Sequence, residues 1–217
     1  MKTLAIILAV TLLSLPANSR KLYIESDTEK QIYSYVQVPQ EYYHNKKWRG
    51  DWTDIEAGGQ KFFFFGCGVC CLSNMISTLN GVDIRPDEMF ALAKEQTNYN
   101  PDSGVGALSW KQLKSICEQA GLNVEVKKKP EDIDIFRKDV AGSDTTMVLV
   151  CKDDDDALWF YTNGHYVNLW EYDPATDTVF ITDSSGMFNR KRVQLEDIYN
   201  ALKTRSEAQY MTVNKEA

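Results

Sequence analysis

The hydrophobic spacing of this chain changes at Gly121, and that change decides what the chain can fold into. Before it, apolar residues recur every three or four positions, as on one face of a helix. After it they alternate, as along a strand. The first pattern predicts a helix over residues 67–79, where Leu72, Met75, Ile76 and Leu79 share a face and Asn80-Gly81 supplies the stop. Pro86-Asp87-Glu88 opens a second helix through Met89, Leu92 and Ala93, its early acids suiting the positive end of the dipole. A third covers 109–120, with Ser109 as N-cap and Gly121 as terminator, and NYNPDSGVG at 98–106 is the loop before it. Beyond Gly121, residues 122–126 read as a strand and the apolar run MVLVC at 147–151 as a buried one. Residues 165–172 and 178–183 form a hairpin about Asp173-Pro174-Ala175, and 192–195 adds a last strand. Helices first and strands afterwards indicate an α+β domain. Upstream, IYSYVQV at 32–38 predicts a short strand ended by Pro39, and Gly50, Gly58 and Gly59 mark loops.

The first 19 residues read differently. Lys2, an apolar run over 4–15, a break at Pro16 and the triplet Ala17-Asn18-Ser19 together describe a signal peptide, residues 1–19, cleaved before Arg20. The run is too short for a bilayer span of about 20 residues. No later stretch is long and apolar enough to cross a membrane, so the expectation is a secreted, extracytoplasmic chain with no membrane span after signal removal. Residues 20–217 suffice for a single domain, with 20–59 as an N-terminal extension. The formal charge of −7 argues against nucleic acid and anionic membrane surfaces as partners. The acids at 153–156 lack the spaced ligands and closing Glu of a calcium loop and read as a solvated turn. No metal and no cofactor is expected.

Five cysteines are present: Cys67, Cys70, Cys71, Cys117 and Cys151. An odd number in an exported chain leaves at least one thiol unpaired, and a free thiol in an oxidising compartment is a liability unless it has a role. The other four leave zero, one or two disulfides open. Cys67 sits between Gly66 and Gly68 at the start of the first strong helix, where the dipole and unpaired N–H groups lower a thiol pKa. The flanking glycines would let a substrate backbone approach. Cys67 and Cys70 form a C-x-x-C, but neither a thioredoxin-like βαβ setting nor a second zinc-ligand pair accompanies it. Cys70 and Cys71 read as packing residues or disulfide partners.

A nucleophilic thiol needs a base, and the chain has two histidines. His44 lies in the charged loop YYHNKKW and reads as a surface residue. His165 follows Asn163-Gly164 and opens the strand HYVNLWEY, a rigid yet open place for a catalytic side chain. Pairing Glu171 with Asp177 across a five-residue loop puts His165 opposite Asp183, with Cβ atoms about 4.5–5.5 Å apart on one face. Asp183 would then accept the imidazole N–H and hold its tautomer. Gln60, seven residues before Cys67, supplies a side-chain amide that can share an oxyanion with the Cys67 backbone N–H.

Several segments resemble a known family. GCGVCCLSNMI resembles the GCGPTSLAMVL segment of the C39-like branch of papain-like cysteine peptidases, GHYVNLWEYD resembles its GHYVVLTGYD, and VFITDSS resembles its VYVNDPS. Between them, LNGVDIRPDEMFALA resembles LNGKKVTPDELAKLA, and GVGALSW, followed by a helix ending in AGL, resembles the GGTSW segment and its helix. The likeness runs over residues 60–198 in order and spacing. It implies a papain-like fold, an N-terminal helical part packed on a C-terminal antiparallel sheet. It implies Cys67 as nucleophile, His165 as base, Asp183 as orienter and Gln60 as oxyanion donor. Val69 and Ser184 stand where the family usually carries Pro, and Gln60 lies one residue further from the Cys than is usual.

The function expected is hydrolysis of peptide or isopeptide bonds in a peptide or protein substrate, through an acyl-enzyme. Two other readings use the same fold: acyl transfer to an amine, and a non-catalytic binding module presenting Tyr42-Tyr43, Trp48, Trp52 and Trp159-Phe160-Tyr161 to a ligand.

Overall fold

The computed structural model describes residues 24–25, 31–101, 106–152 and 158–216. The expected signal peptide and the acidic 153–156 turn lie outside these residues.

In chain order, a two-residue strand β1 (Ile24–Glu25) precedes an extended segment, two short 3-10 turns (Lys46–Trp48 and Asp51–Asp54), and a small hairpin of β2 (Glu56–Ala57) and β3 (Gln60–Lys61). A single helical turn, α1 (Phe62–Phe65), leads through Gly66 into α2 (Cys67–Asn80). α3 (Pro86–Thr97) and α4 (Trp110–Gln119) follow, then β4 (Leu122–Lys127), α5 (Ile133–Ala141) and β5 (Thr145–Val150). β6 (His165–Asp173) and β7 (Thr178–Thr182) form the expected hairpin, and β8 (Lys191–Gln194), α6 (Leu195–Ala201) and β9 (Tyr210–Lys215) complete the domain.

The helix ends fall where capping chemistry puts them. Gly81 takes the left-handed conformation (φ 68°) after α2, and its N–H closes on Ser77. Ser109 accepts from the Gln112 N–H while Gln112 returns a bond to the Ser109 N–H, a capping box that starts α4. Gly121, at φ 76°, turns the chain from α4 into β4.

Seven strands form one antiparallel sheet in the order β1-β8-β7-β6-β5-β9-β4 among the described residues. Both faces are covered. Met147, Leu149, Tyr166, Trp170, Phe180, Met211 and Val213 point toward Val69, Leu72, Met75, Leu113 and Ile116 of α2 and α4. The alternate residues Val148, Val150, Val167, Leu169, Val179 and Ile181 pack with Phe136 and Val140 of α5 and Ile198 of α6. Strand β5 is buried at every residue, which is why it carries an unbroken apolar run. Fully burying one such side chain contributes about 1.5–3 kcal/mol. The domain is α+β as expected, but its helices lie on both faces of the sheet. α5, α6 and β9 interrupt the expected order of helices followed by strands.

The 32–38 segment is extended and buried but joins no ladder. Its backbone is satisfied elsewhere: Tyr35 N–H donates to Asn74 Oδ1 at 2.6 Å, Val36 N–H to Trp48 at 2.9 Å and Gln37 N–H to Ser184 at 2.8 Å. Ile32, Tyr35, Trp48 and Trp52 belong to the core against α2, so this part of the chain is anchored in the domain, while most of residues 39–47 are exposed.

The β6–β7 hairpin corrects the assumed register. Leu169 pairs with Ile181 and Trp170 with Phe180, two positions from the assumed alignment, and Asp173 pairs with Thr178. Glu171 and Tyr172 together oppose Val179 alone, a bulge in which Glu171 takes φ 46°. Because side chains alternate with period two, an even displacement leaves His165 and Asp183 on the same face. They meet diagonally instead of directly opposite one another.

Candidate active site

Helix α2 runs along β6, with Cys67 against Tyr166 at one end and Met75 under Asn168, at 3.8 Å, further along. This brings the first residue of α2 to the first residue of β6, His165. Asp183 follows the last residue of β7, the strand beside β6. Helix α2 and a hairpin about a hundred residues later in the chain therefore bring Cys67, His165 and Asp183 to one end of the sheet.

His165 Nε2–H donates to Asp183 Oδ1 at 2.7 Å. That bond engages Nε2 and leaves Nδ1 without Asp183, and the imidazole and the Cys67 thiol interact through a hydrogen bond and charge. Cys67 also receives the backbone N–H groups of Tyr166 and Gly68. Burial alone would raise the Cys67 thiol, but the His165 hydrogen bond and charge, helped by those two N–H groups, outweigh it and hold the thiol below its ordinary value. Burial likewise disfavours the His165 cation, yet the Asp183 carboxylate and Cys67 raise it to about 10. Asp183 is wholly buried, which would raise its carboxyl, and His165 and Ser185 hold it below the usual range instead. The arrangement favours a thiolate, an imidazolium and a carboxylate in a row.

Asp183 is fixed on all sides. Its Oδ1 also accepts the Ser185 N–H at 2.8 Å, its Oδ2 accepts the Trp159 indole N–H at 3.3 Å, and its own N–H donates to Asn189 Oδ1 at 3.1 Å. Asn189 in turn donates to the Ser34 carbonyl at 2.9 Å, and Ser184 Oγ donates to Gln37 Oε1 at 2.7 Å. Sequence reasoning missed these supports. The Ser185 bond had a local signal, since an Asp readily accepts the N–H two residues on. Trp159, Asn189 and Gln37 had none.

None of the five cysteines is in a disulfide. Cys67 is 6% exposed, whereas Cys70 and Cys71 are 0% exposed and burial pushes their pKa values well up. Cys117 is pushed up to about 12 by burial. Cys67 is thus the thiol with a lowered pKa and some access. His44 is exposed, as expected.

Gln60 is exposed on β3, and its Oε1 lies 3.3 Å from where a Cβ on Gly106 would sit. The glycines around Cys67 differ in their surroundings. A Cβ on Gly66 would meet the Phe62 ring at 2.4 Å, and Gly68 faces Leu108 and Tyr166 in the core. Packing therefore demands glycine at position 66, whereas at position 68 a Cβ would make only ordinary contact. Of the aromatic residues considered as a ligand surface, Trp48, Trp52 and Trp159 are core residues, while Tyr42, Phe160 and Tyr161 are exposed.

No protein-family model matches the chain, and no curated protein matches it in sequence. Among solved structures, it is similar to a C39-like peptidase from Bacillus anthracis, at 16% identity over 70% of this chain and 90% of that one, with a TM-score of 0.43. It is similar to the N-terminal peptidase C39-like domain of a toxin-secretion ATP-binding protein from Vibrio parahaemolyticus, at 19% identity over 63% and 87% of the two chains and a TM-score of 0.35. It is also similar to the peptidase domain of Streptococcus ComA, a bifunctional ABC transporter involved in a quorum-sensing pathway, at 13% identity over 70% of this chain and 93% of that one, with a TM-score of 0.49.

Proposed function

We propose that this protein is an exported cysteine peptidase in which Cys67 is the nucleophile, His165 the general base and acid, and Asp183 the orienter. One observation carries the reading: a buried imidazole bonded to a carboxylate at 2.7 Å and interacting with a helix-terminal sulfur. The Cys67 thiolate attacks the carbonyl carbon of a peptide or isopeptide bond, and Gln60 with the Cys67 backbone N–H holds the oxyanion. As the C–N bond breaks, His165 gives its proton to the departing amine. Water then attacks the thioester, its proton passes to His165, and the released acid leaves the thiolate restored. The substrate is a peptide or protein met outside the cytoplasm, after removal of residues 1–19.

The test is alkylation of Cys67 by iodoacetamide at about pH 5.5, where an ordinary thiol of pKa about 8.5 is only about one part in a thousand ionised. Rapid labelling of Cys67, with loss of peptide hydrolysis in Cys67→Ala, is the expected result. Labelling no faster than free cysteine, with hydrolysis retained in Cys67→Ala, would sink the reading.

A further inference from the structure

Among the described residues, seven large hydrophobic side chains are exposed, and five of them gather beside the segment that follows Asp183: Tyr42, Phe64, Phe160, Tyr161 and Met187. Tyr161 donates its hydroxyl to Ser185 Oγ at 2.9 Å, and the Ser185 N–H reaches the Asp183 carboxylate at 2.8 Å. Phe160 meets Tyr161 edge-on at 5.7 Å, and the Met187 N–H donates to Ser185 Oγ at 3.3 Å. Across the same segment, Gln37 joins Ser184 to the Phe63 carbonyl, at 2.7 and 2.5 Å. There Phe63 stacks on Tyr42 at 5.7 Å and meets Phe64 edge-on at 5.1 Å.

The triad gives this apolar flank a direction. A substrate carbonyl must lie over the Cys67 sulfur, and the departing nitrogen must face the imidazole that protonates it. The half of the substrate that leaves as the amine therefore runs toward His165 and Asp183. That is the side on which Ser185, Tyr161, Phe160 and Met187 stand. Exposed apolar groups concentrated this way mark a surface meant to be covered, and aromatic rings supply much contact area at little entropic cost.

We infer that this flank binds the amine-side half of the substrate and selects large apolar or aromatic residues in the first two positions after the scissile bond. The inference rests on the peptidase reading and adds the substrate class to it. The experiment uses the full chain with a peptide library randomised around a central bond, and sequences the new N-termini. The expected result is enrichment of Phe, Tyr, Leu and Met at the first two positions of those N-termini. In the double variant Phe160→Ala/Tyr161→Ala, the ratio of kcat/KM for a peptide carrying Phe there to one carrying Gly falls about tenfold, the size of one lost aromatic contact. Cleavage without that enrichment, or a ratio the double variant leaves unchanged, overturns this inference alone. A double variant that changes self-association in light scattering but not the ratio assigns the flank to a second copy of the chain, and also overturns it. No cleavage of any peptide, together with a Cys67 that alkylates no faster than free cysteine, removes the peptidase reading and this inference with it.

Discussion

Replacing Asp183 by Asn removes the carboxylate charge while keeping an oxygen that can accept from His165. The bond concerned is 2.7 Å long and lies at a fully buried residue, so little solvent screens it. Hydrogen bonds to charged groups are worth about 1.5–3 kcal/mol, against about 1 kcal/mol for neutral ones. Losing the charge-assisted part therefore removes on the order of 1–2 kcal/mol of imidazolium stabilisation, close to one pKa unit at 1.36 kcal/mol each. The signs follow from the pair. His165 sits above its ordinary value and Cys67 below, so the thiolate–imidazolium form exists between those two pH values. In Asp183→Asn the His165 value falls from about 10 and the Cys67 value climbs, so the window narrows from both sides. The assay is the rate of Cys67 alkylation by iodoacetamide against pH, read by intact mass. The rising limb is expected to move up by about one unit, giving roughly a tenfold slower reaction at any pH on that limb and a rate approaching that of the parent above it. An unshifted profile would refute the claim that Asp183 supports the thiolate through the imidazole.

Three further outcomes follow from the same coordinates. Gln60→Ala should lower kcat by about a hundredfold with KM little changed, as loss of one oxyanion donor does, and steady-state kinetics showing kcat intact would remove Gln60 from the site. Ser109→Ala deletes the cap whose oxygen accepts the Gln112 N–H, and urea unfolding should show a loss of about 1 kcal/mol at unchanged m-value. The Arg137 pair and the Tyr172 hydroxyl hold the Asp177 carboxyl below its usual range, so its contribution is present above about pH 4 and is lost as pH falls through the lowered value. The melting-temperature gap between the parent and Asp177→Asn should be full at pH 7 and close in strong acid; a gap that persists there would contradict the assignment.

The helices were legible where ends and faces agreed. Asn80-Gly81, Ser109 and Gly121 each state a cap, and α2 and α4 end within a residue of the expected places. Helix α5 was not legible, since Phe136 and Val140 alone anchor it in the core. Strand β9 is buried on both faces along most of its length, so its sequence lacks the alternation of a half-buried strand. IYSYVQV shows the converse. It alternates like a strand, but side chains and loops satisfy its backbone, a choice made by residues such as Asn74 and Ser184 far along the chain. The hairpin register failed because Glu171 occupies a conformation that its residue type does not announce. The pairing of His165 with Asp183 survived because parity, not exact alignment, controls the face. Chemical type pointed to Cys67, His165 and Asp183, which the fold brings together; no local pattern leads to Trp159, Asn189 or Gln37.

The buried segment at 32–37 ties the beginning of the domain to its far end. Gln37 holds Ser184, Ser34 receives Asn189, and Arg190 reaches the Ile32 carbonyl at 2.9 Å, all beside the carboxylate that steadies the imidazole. Trimming that stretch would not uncover a dormant enzyme. It would unlatch the acid's loop, so any processing that leaves a working protein has to stop short of it.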